Sequence, residues 1–353
     1  MTHYSSPPRV SIVAPCYNEQ ACLAEFHARA SAAAIAAAGT SHEIVMVDDG
    51  SSDDGWAIMI ALAERDPHLV VVRLMRNHGH QLAATAGLSL ARGERVMLID
   101  ADLQDPPELL VPMMLLMDDG AEVVYGQRTR REAETWFKRI SAAAFYRLLG
   151  KLSGTPIPRD TGDFRLMSRR VVEVLGAMPE RQRFLRGMVS WVGGRQVPLP
   201  YERQARHAGV SKYPLSKMIR FAADALTSFS TSPLRVATWF GLGAAGLAVL
   251  LLGYSLLRWM QGETVSGWSS LMAAMAGFAA AQLIVLGIIG EYLGRLFQEV
   301  KGRPLFVVDQ VVAGQASLVL PTDFARLPPQ ARQATWEAIR QAANSDLAES
   351  NAA

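Results

Sequence analysis

Three carboxylates and an amide lie within six residues at the end of a short apolar segment. Residues 96–99 read VMLI, and residues 100–105 read DADLQD. Asp100 and Asp102 are separated by one residue, so an extended backbone places both side chains on the same side. Holding two like charges together costs free energy unless a positive charge lies close to both. The motif therefore predicts a cation site at the end of a buried strand.

Three kinds of site use closely spaced aspartates, and the spacing discriminates between them. A calcium-binding EF-hand loop needs glycine at its sixth position and glutamate at its twelfth, but counting from Asp100 gives Asp105 and Val111. An aspartyl-phosphate phosphatase typically has a hydroxyl residue or valine where Gln104 stands, and the other strand ends lack a matching lysine-and-acid set. A nucleotide-sugar transferase uses carboxylates to hold Mg²⁺ or Mn²⁺ against the donor diphosphate, and this chemistry fits the motif best.

The N-terminal part of the chain alternates between strand-like and helix-like segments. Strands rich in Val and Ile, without polar alternation, favour a mostly parallel sheet covered on both faces. We therefore predict an α/β fold, in which ligands bind at the carboxyl ends of the strands. Polar segments follow four of these strands: CYNE, DDGSSD, RNHGH and DADLQD. The predicted strands are residues 10–17, 42–50, 69–76, 94–100 and 122–128, and the predicted helices are residues 21–38, 53–66, 81–91 and 107–117.

Composition argues against several other classes. The chain of 353 residues has a net charge of +2, so no global basic field points to nucleic acid. Cys16 and Cys22 lack metal-ligand companions, and one pair of cysteines gives no disulfide framework, so we expect free thiols. The polar start of the chain has no long apolar segment, and a signal peptide is therefore not expected.

Two long uncharged segments dominate the second half of the chain. Residues 236–257 contain no charged residue over 22 positions, and residues 264–290 contain none over 27. A helix crosses a bilayer with about 20 apolar residues, so the pair predicts a transmembrane hairpin rather than two buried core helices. Basic residues flank its outer ends, which places both termini in the cytoplasm by the positive-inside rule. The GLGAAG sequence at 241–246 lies inside the first segment, without the strand and turn that a dinucleotide site requires.

Two further segments complete the predicted domain organisation. Residues 135–152 and 216–231 show apolar stripes at helical spacing beside basic residues, which fits amphipathic helices at a membrane surface. For residues 135–152, an ordinary surface helix fits equally well. The predicted boundaries are a catalytic domain at 1–215, a juxtamembrane helix at 216–231, a transmembrane hairpin at 232–294 with spans at about 236–257 and 266–290, and a cytoplasmic tail at 295–353.

Several motifs together carry a resemblance to a known family. They are PCYNE, VDDGSSD, RNHGHQLAATAGL, DADLQDPPE, GDFRLMSRRVVE, WVGG, AGVSKYPLSKMIRFAADALTSFSTSPLR and GEYLGRLFQEVKGRP. Across residues 10–310 the chain resembles the membrane-bound polyprenyl-phosphate glycosyltransferases, which include dolichol-phosphate mannose synthase and the bacterial bactoprenol glucosyltransferases. The resemblance implies an inverting enzyme with a nucleotide-sugar-binding domain of the GT-A fold.

The resemblance also implies roles for individual residues. Asp102 and Gln104 would hold the metal ion and the diphosphate, and Asp102 and Asp163 would be the catalytic carboxylates. Asp48 and Asp49 are both candidates for contact with the base. The donor-binding residues would be Pro15, Tyr17, Asn18, Glu19, Asp48, Asp49, Asp100, Ala101, Asp102 and Gln104. The residues that bind the acceptor phosphate would be Arg128, Arg139, Arg206, Ser211 and Lys212.

Structural roles are the alternatives for several of these residues. Asn18 would cap the helix that follows it, and Asp163 would pair with Arg165. His78 and His80 are expected to be loop residues at a helix start, because no third ligand accompanies them to form a metal site.

The implied reaction is transfer of a hexose, most simply glucose from UDP-glucose, to undecaprenyl phosphate at the cytoplasmic face of the bacterial cytoplasmic membrane. Other donors remain open: GDP-mannose, UDP-N-acetylglucosamine or a UDP-aminoarabinose derivative. A flippase and a second transferase, for O-antigen or cell-wall glycan modification, are the implied partners, and a homo-oligomer is expected. The competing class is a membrane protein that senses nucleotide sugars without turnover.

Overall fold

The computed structural model describes residues 7–129, 161–203, 232–262, 267–313 and 316–318. The chain divides into two compact units. One comprises Met1–Ser141, Thr155–Lys212 and Arg303–Ala353, and the other comprises Ala142–Gly154 and Tyr213–Gly302. The predicted amphipathic segments at 135–152 and 216–231 lie outside the described residues. The predicted domain boundaries stay predictions.

The first unit contains a mixed sheet of mostly parallel strands. The strand order among the described residues is β7-β5-β6-β4-β1-β2-β3-β8-β9. The pairs β4–β1, β1–β2, β2–β3 and β5–β7 are parallel, whereas β6 and β8 run antiparallel to their neighbours. The strands are β1 Val10–Cys16, β2 His42–Asp48, β3 Leu69–Leu74, β4 Arg95–Leu98, β5 Val123–Arg128, β6 Thr161–Ser168, β7 Gln196–Tyr201, β8 Val308–Ala313 and β9 Ala316–Leu318.

Helices cover both faces of this sheet, because its central strands are apolar on both sides. Ile12 and its neighbours on one face pack against α1, α2 and α4, and Val13 and its neighbours on the other face pack against α3, α5 and α6. Burial on both faces removes the polar alternation from the sequence, as predicted for parallel strands. The helices are α1 Gln20–Ala38, α2 Gly55–Ala63, α3 His80–Leu90, α4 Leu110–Asp118 (after a 3₁₀ turn at Pro107–Leu109), α5 Arg169–Ala177 and α6 Leu185–Val192.

The α/β prediction is confirmed from β1 to β5. Every strand and helix predicted in this part of the chain is present, with boundaries that differ by no more than three positions. Short connections between strand and helix hold the two faces close to the site. In α3, for example, a Cβ atom on Gly87 would lie 2.4 Å from the Val13 side chain, so only glycine allows this helix to approach β1 so closely.

The C-terminal part of the first unit adds strands that sequence analysis assigned only to a tail. Strand β8 pairs antiparallel with β3, with Val71 opposite Val312, and β9 pairs with β8. The Met75 amide donates to the Val307 carbonyl and extends this pairing by one hydrogen bond. The chain therefore returns to the sheet after the two long helices of the second unit.

The second unit contains two long helices that contact each other. They are α7 Ser232–Met260 and α8 Trp268–Val300, and both are long and apolar enough to cross a membrane, with candidate spans at Val236–Met260 and Gly277–Val300. The second span extends past the predicted end at 290. The reason is that helical hydrogen bonding continues through the charged residues Glu291 and Arg295, which pair at i and i+4.

Candidate active site

An open pocket lies at the carboxyl ends of the central parallel strands. Its cavity volume is about 210 Å³, and it is open to solvent on one side. The side chains that line it come from the segments after β1, β2, β3 and β4, as the four polar motifs predict. They are Pro15, Cys16, Tyr17, Glu19, Asp49, Asn77, Gly79, His80, Ala83, Asp100 and Asp102.

The two adjacent aspartates after β2 have different environments. Asp49 lines the pocket, and its carboxylate accepts hydrogen bonds from the backbone amides of His78 (2.7 Å) and Gly79 (2.8 Å). Burial raises the pKa of Asp49, and these two hydrogen bonds counteract part of that rise. Asp48 is buried, accepts from the Ser51 amide and lies 3.6 Å from Arg73. Asp49 thus ties the loop after β2 to the start of α3.

Asn18 does not cap the following helix in the way that its position suggests. Its side-chain oxygen accepts from the Ser52 amide (2.8 Å), and its own amide donates to the Ser51 hydroxyl (3.0 Å). The helix begins instead after Glu19, which makes no side-chain capping bond there. Asn18 therefore joins the loops after β1 and β2, with φ at 53°.

The acidic loop after β4 has an unusual backbone. Leu103 has a φ of 60° and is almost fully buried. Leu103 and Asn18 are the two residues other than glycine with positive φ in the described part of the chain, and both lie in loops beside the pocket. Such a conformation costs a leucine about 1–2 kcal/mol, and strain of this kind concentrates at functional sites. The turn allows the Asp102 carboxylate to accept from the Gln104 amide at 3.1 Å.

The donor set in this loop suits a hard divalent cation. Asp102 lines the pocket with a carboxylate side chain. Gln104, two residues later in the sequence, carries a side-chain amide. Oxygen ligands of these types are the ones that Mg²⁺ and Mn²⁺ prefer. Among the described residues, no three His, Cys, Asp or Glu side chains form a metal-binding group. A bound ion would therefore need oxygens from a ligand or water as well.

Asp163, at the start of β6, is held by side chains from two helices. Arg186 of α6 donates its Nε to Oδ1 at 2.9 Å, and Gln81 of α3 donates to Oδ2 at 2.8 Å. His80 Nε2 lies 3.3 Å from the same Oδ2 and 3.4 Å from Asp100 Oδ1. In the alternative interpretation Asp163 pairs with Arg165; the Arg165 guanidinium donates to the backbone carbonyls of residues 162 and 163, and its charge helps to lower the pKa of Asp163.

These contacts separate the pKa values of the three ionisable groups. Burial alone would lower the pKa of His80, but the hydrogen bond to Asp163 and the charge of Asp100 raise it to about 9. Burial would raise the pKa of Asp163, yet His80 and Arg186 hold it well below its usual range. Burial raises the pKa of Asp100 to about 6, and His80 limits that rise. Asp163 is therefore an ionised carboxylate and a poor proton acceptor near neutral pH.

A second cluster surrounds Asp105, the third carboxylate of the motif, which is fully buried. The Tyr201 hydroxyl donates to Asp105 Oδ1, and Arg203 Nε lies 3.4 Å from the same oxygen. Arg128 lies 4.0 Å from Oδ2, and its Nε donates to the Tyr201 oxygen at 3.4 Å. Arg203 also lies 4.0 Å from Asp102 Oδ2. Two arginines are thus oriented beside the acidic loop.

The structure brings many of the predicted site residues together. Pro15, Tyr17, Glu19, Asp49, Asp100 and Asp102 line one pocket, whereas Ala101 is buried in the core. The predicted phosphate-binding residues Arg139, Arg206, Ser211 and Lys212 lie outside the described residues.

The partners that hold the carboxylates were not predicted from the sequence. His80 does begin a helix, as expected, but it also bridges two aspartates. The other missed residues are Gln81, Arg186, Arg203 and Tyr201. Gln81 and Tyr201 lie beside recognisable motifs, but no spacing rule connects them to carboxylates that are so distant along the chain.

Comparisons with known proteins agree with this architecture. Residues 11–176 match the model of glycosyl transferase family 2. The chain is 42% identical over 301 residues to an uncharacterised glycosyltransferase, YkcC, from Bacillus subtilis, covering 85% of this chain and 93% of that one. It is 38% identical over 301 residues to the SfII prophage-derived bactoprenol glucosyl transferase from Shigella flexneri, covering 85% and 97%.

A solved structure is similar at lower identity. Mannosyl-3-phosphoglycerate synthase from Rubrobacter xylanophilus is 22% identical, with a TM-score of 0.44, over 63% of this chain and 73% of that one. The assignment rests instead on relatives that are 38–42% identical over 301 residues, 85% of this chain. On these grounds the chain is a glycosyltransferase that belongs to glycosyl transferase family 2.

Proposed function

We propose that this enzyme transfers glucose from UDP-glucose to undecaprenyl phosphate, with inversion at the anomeric carbon. The observation that carries the proposal is the acidic pocket at the strand ends of a chain that also has two apolar helices of membrane-spanning length. Relatives named bactoprenol glucosyl transferase, aligned over 85% of this chain, support the lipid acceptor and the sugar.

The donor nucleotide would occupy the pocket between the loops after β1, β2 and β4. Tyr17 and Glu19 follow β1, which lies between β4 and β2 in the sheet, so Asp100 after β4 and Asp49 after β2 come from the two neighbouring loops. Asp102 and Gln104 would hold Mg²⁺ or Mn²⁺. Such an ion neutralises the negative charge that develops on the departing diphosphate.

The acceptor phosphate requires little base catalysis. Its second pKa is about 6, so it is largely a dianion near neutral pH. The enzyme must bring two anions together and align them for attack. Arg128, oriented by Asp105 and Tyr201, would bind this phosphate together with Arg139, Arg206, Ser211 and Lys212. Asp163 would keep its neighbours in place, since its oxygens already accept bonds from Arg186 and Gln81.

The apolar helices would bring the pocket to the lipid. A polyprenyl chain stays in the bilayer, so the enzyme must bind its phosphate at the membrane surface. The length and apolar composition of the two helices, with basic residues at their outer flanks, support a transmembrane hairpin with the catalytic unit in the cytoplasm. A product made on that face would need a flippase and a second transferase, and a homo-oligomer is part of the proposal.

The direct test uses the full chain, purified in detergent, with undecaprenyl phosphate, Mg²⁺ or Mn²⁺, and a panel of labelled nucleotide sugars. We expect label to enter the lipid phase from UDP-glucose, and to stop with EDTA or in Asp102→Ala. Asp119→Asn is the matched control, because Asp119 is 70% exposed and pairs with Arg195 on the surface. Transfer from a different nucleotide sugar would show that UDP-glucose is not the donor, and activity in EDTA would show that no metal ion is needed. Binding of a nucleotide sugar without transfer would favour the alternative class, a membrane protein that senses nucleotide sugars.

A further inference from the structure

We propose that His80 is a positioning residue of the transfer reaction: as an imidazolium it bridges Asp163 to Asp100 and fixes Asp100 at the wall of the donor pocket. The inference rests on the proposed function, since it concerns the site that would hold the nucleotide sugar. His80 itself lines that pocket.

The geometry requires a proton on the bridging nitrogen. His80 Nε2 lies 3.3 Å from Asp163 Oδ2 and 3.4 Å from Asp100 Oδ1. An unprotonated Nε2 would place a lone pair against two carboxylates. A protonated Nε2 attracts both, and a full positive charge on the ring attracts them more strongly than a neutral ring does.

The fold holds Asp163 more firmly than Asp100. His80 therefore restrains Asp100 relative to Asp163. The Asp163 side chain is 4% exposed, lies on β6 and accepts bonds from Gln81 and Arg186. The Asp100 side chain is 26% exposed and lies in the loop after β4. The bridge therefore attaches the more exposed side of the pocket to a side chain that the fold already fixes.

The charged groups that face His80 in the described part of the chain come from three elements. Asp100 follows β4, Asp163 is on β6, and Arg186 is on α6. The positive charge of Arg186 lowers the pKa of His80. The two carboxylates outweigh burial and Arg186, so the pKa of His80 rises to about 9. His80 thus keeps its charge across the neutral range. Without that charge, Asp100 and Asp163 would face each other as two anions in a partly buried site.

His78 lies in the same loop but in a different environment. Its Nε2 atom is buried and has no hydrogen-bond partner among the described residues, and burial lowers its pKa. The contribution of His78 to the site comes from its backbone amide, through the bond to Asp49. His78 is therefore not part of the bridge, and the matched control for the kinetics is Asp119→Asn on the surface.

The test combines a titration and a kinetic comparison on the full chain in detergent. Histidine labelled with ¹³C and ¹⁵N is followed by NMR, and the His80 signal is identified by its loss in His80→Gln. We expect His80 to titrate near pH 9, and to titrate at least one unit lower in Asp163→Asn and in Asp100→Asn. With UDP-glucose, we expect His80→Gln to raise the donor KM about two- to fivefold, the size of a partly exposed ion pair, whereas the surface variant Asp119→Asn stays near wild type.

Each outcome decides the proposal. A His80 signal that titrates near pH 6.5 or below in the wild type, or that neither aspartate substitution moves, overturns the bridge. An unchanged donor KM in His80→Gln overturns the positioning role. The NMR titration needs neither donor nor lipid, so a wild-type enzyme that transfers no glucose would count against the proposed function while the bridge is still decided. Asp100→Asn serves if Asp163→Asn, which alters a buried site, fails to fold.

Discussion

Replacing Asp105 by asparagine should weaken both the fold and the recognition of the lipid phosphate. Asp105 is fully buried and is surrounded by the Tyr201 hydroxyl, Arg203 at 3.4 Å and Arg128 at 4.0 Å. Asparagine has nearly the same shape but no charge. The substitution therefore tests the charge of Asp105, and it changes the packing of the loop very little.

The expected loss of stability follows from these contacts. A hydrogen bond to a charged group contributes about 1.5–3 kcal/mol, and asparagine keeps part of the bond to Tyr201. At an effective dielectric constant of about 20, charges at these separations attract by about 4–5 kcal/mol. The Arg128 and Arg203 side chains are 25% and 27% exposed, so water screens most of that attraction. Each ion pair then contributes about 1 kcal/mol. The sum is about 3–5 kcal/mol, the usual cost of breaking a buried ion pair.

Thermal unfolding in detergent and steady-state kinetics check this prediction together. For a unit of this size, about 3–5 kcal/mol corresponds to a fall in Tm of roughly 10 °C. Since Arg128 and Arg203 lose their common partner, the KM for undecaprenyl phosphate should rise about tenfold, with a smaller change for the nucleotide sugar. Asp119→Asn removes a surface partner of Arg195, and it should cost less than about 1 kcal/mol. An Asp105→Asn enzyme with the wild-type Tm and lipid KM would refute the reasoning.

Three further predictions concern other parts of the same unit. Glu43→Gln should lower stability by about 3–5 kcal/mol in thermal melts, because the nearly buried Glu43 pairs with Arg92 at 2.7 Å, whereas Asp118→Asn on the surface should change little. Asp49→Asn should weaken binding of UDP-glucose about tenfold in calorimetry, since a side-chain amide cannot accept from both the His78 and Gly79 amides; unchanged binding would contradict this. The raised pKa of His80 contributes stability that is complete below its ordinary pKa of about 6.5 and is lost as the pH rises through about 9, so Tm should decline across that window. Transfer should fall only near pH 9, where the folded enzyme loses the charge on His80; a Tm that stays flat from pH 6.5 to 9 would contradict this.

The local parts of this fold were predictable from the sequence. Runs of Val and Ile predicted strands β1 to β5, and the polar segments at the ends of the first four predicted the pocket. Those inferences succeed because a strand and the loop that follows it are contiguous in sequence. Asp49 and Asp102 reach the pocket for that reason alone.

Contacts between distant segments could not be derived in this way. Asp163 meets Gln81 across 82 positions, and Tyr201 meets Asp105 across 96. Strand β8 joins β3 although both long helices of the second unit lie between them in sequence, because an exposed edge strand pairs with any extended apolar segment that the chain brings to it. Such pairings depend on the order of strands in the sheet, which short sequence periodicities do not encode.

The environment of each acid explains why so many carboxylates converge on one pocket. Asp49 is satisfied by two backbone amides, and Asp163 by Arg186, Gln81 and His80. Asp49 therefore joins two loops and Asp163 joins two helices, and both have little remaining capacity for a ligand. Asp100 meets its positive charge in His80, and Asp102 has Arg203 at 4.0 Å as well as its place in the pocket wall.

The positive charge that the spacing of Asp100 and Asp102 requires is therefore divided between the two residues. For Asp100, the positive charge is the imidazolium of His80. Asp102 has Arg203 at 4.0 Å and lines the pocket, so a divalent ion bound there with the diphosphate would add a second positive charge beside it. On this argument, Asp102→Asn should reduce the affinity for UDP in the presence of Mn²⁺ far more than in its absence. Asp100→Asn should reduce both affinities alike, and calorimetry with and without the ion distinguishes the two cases.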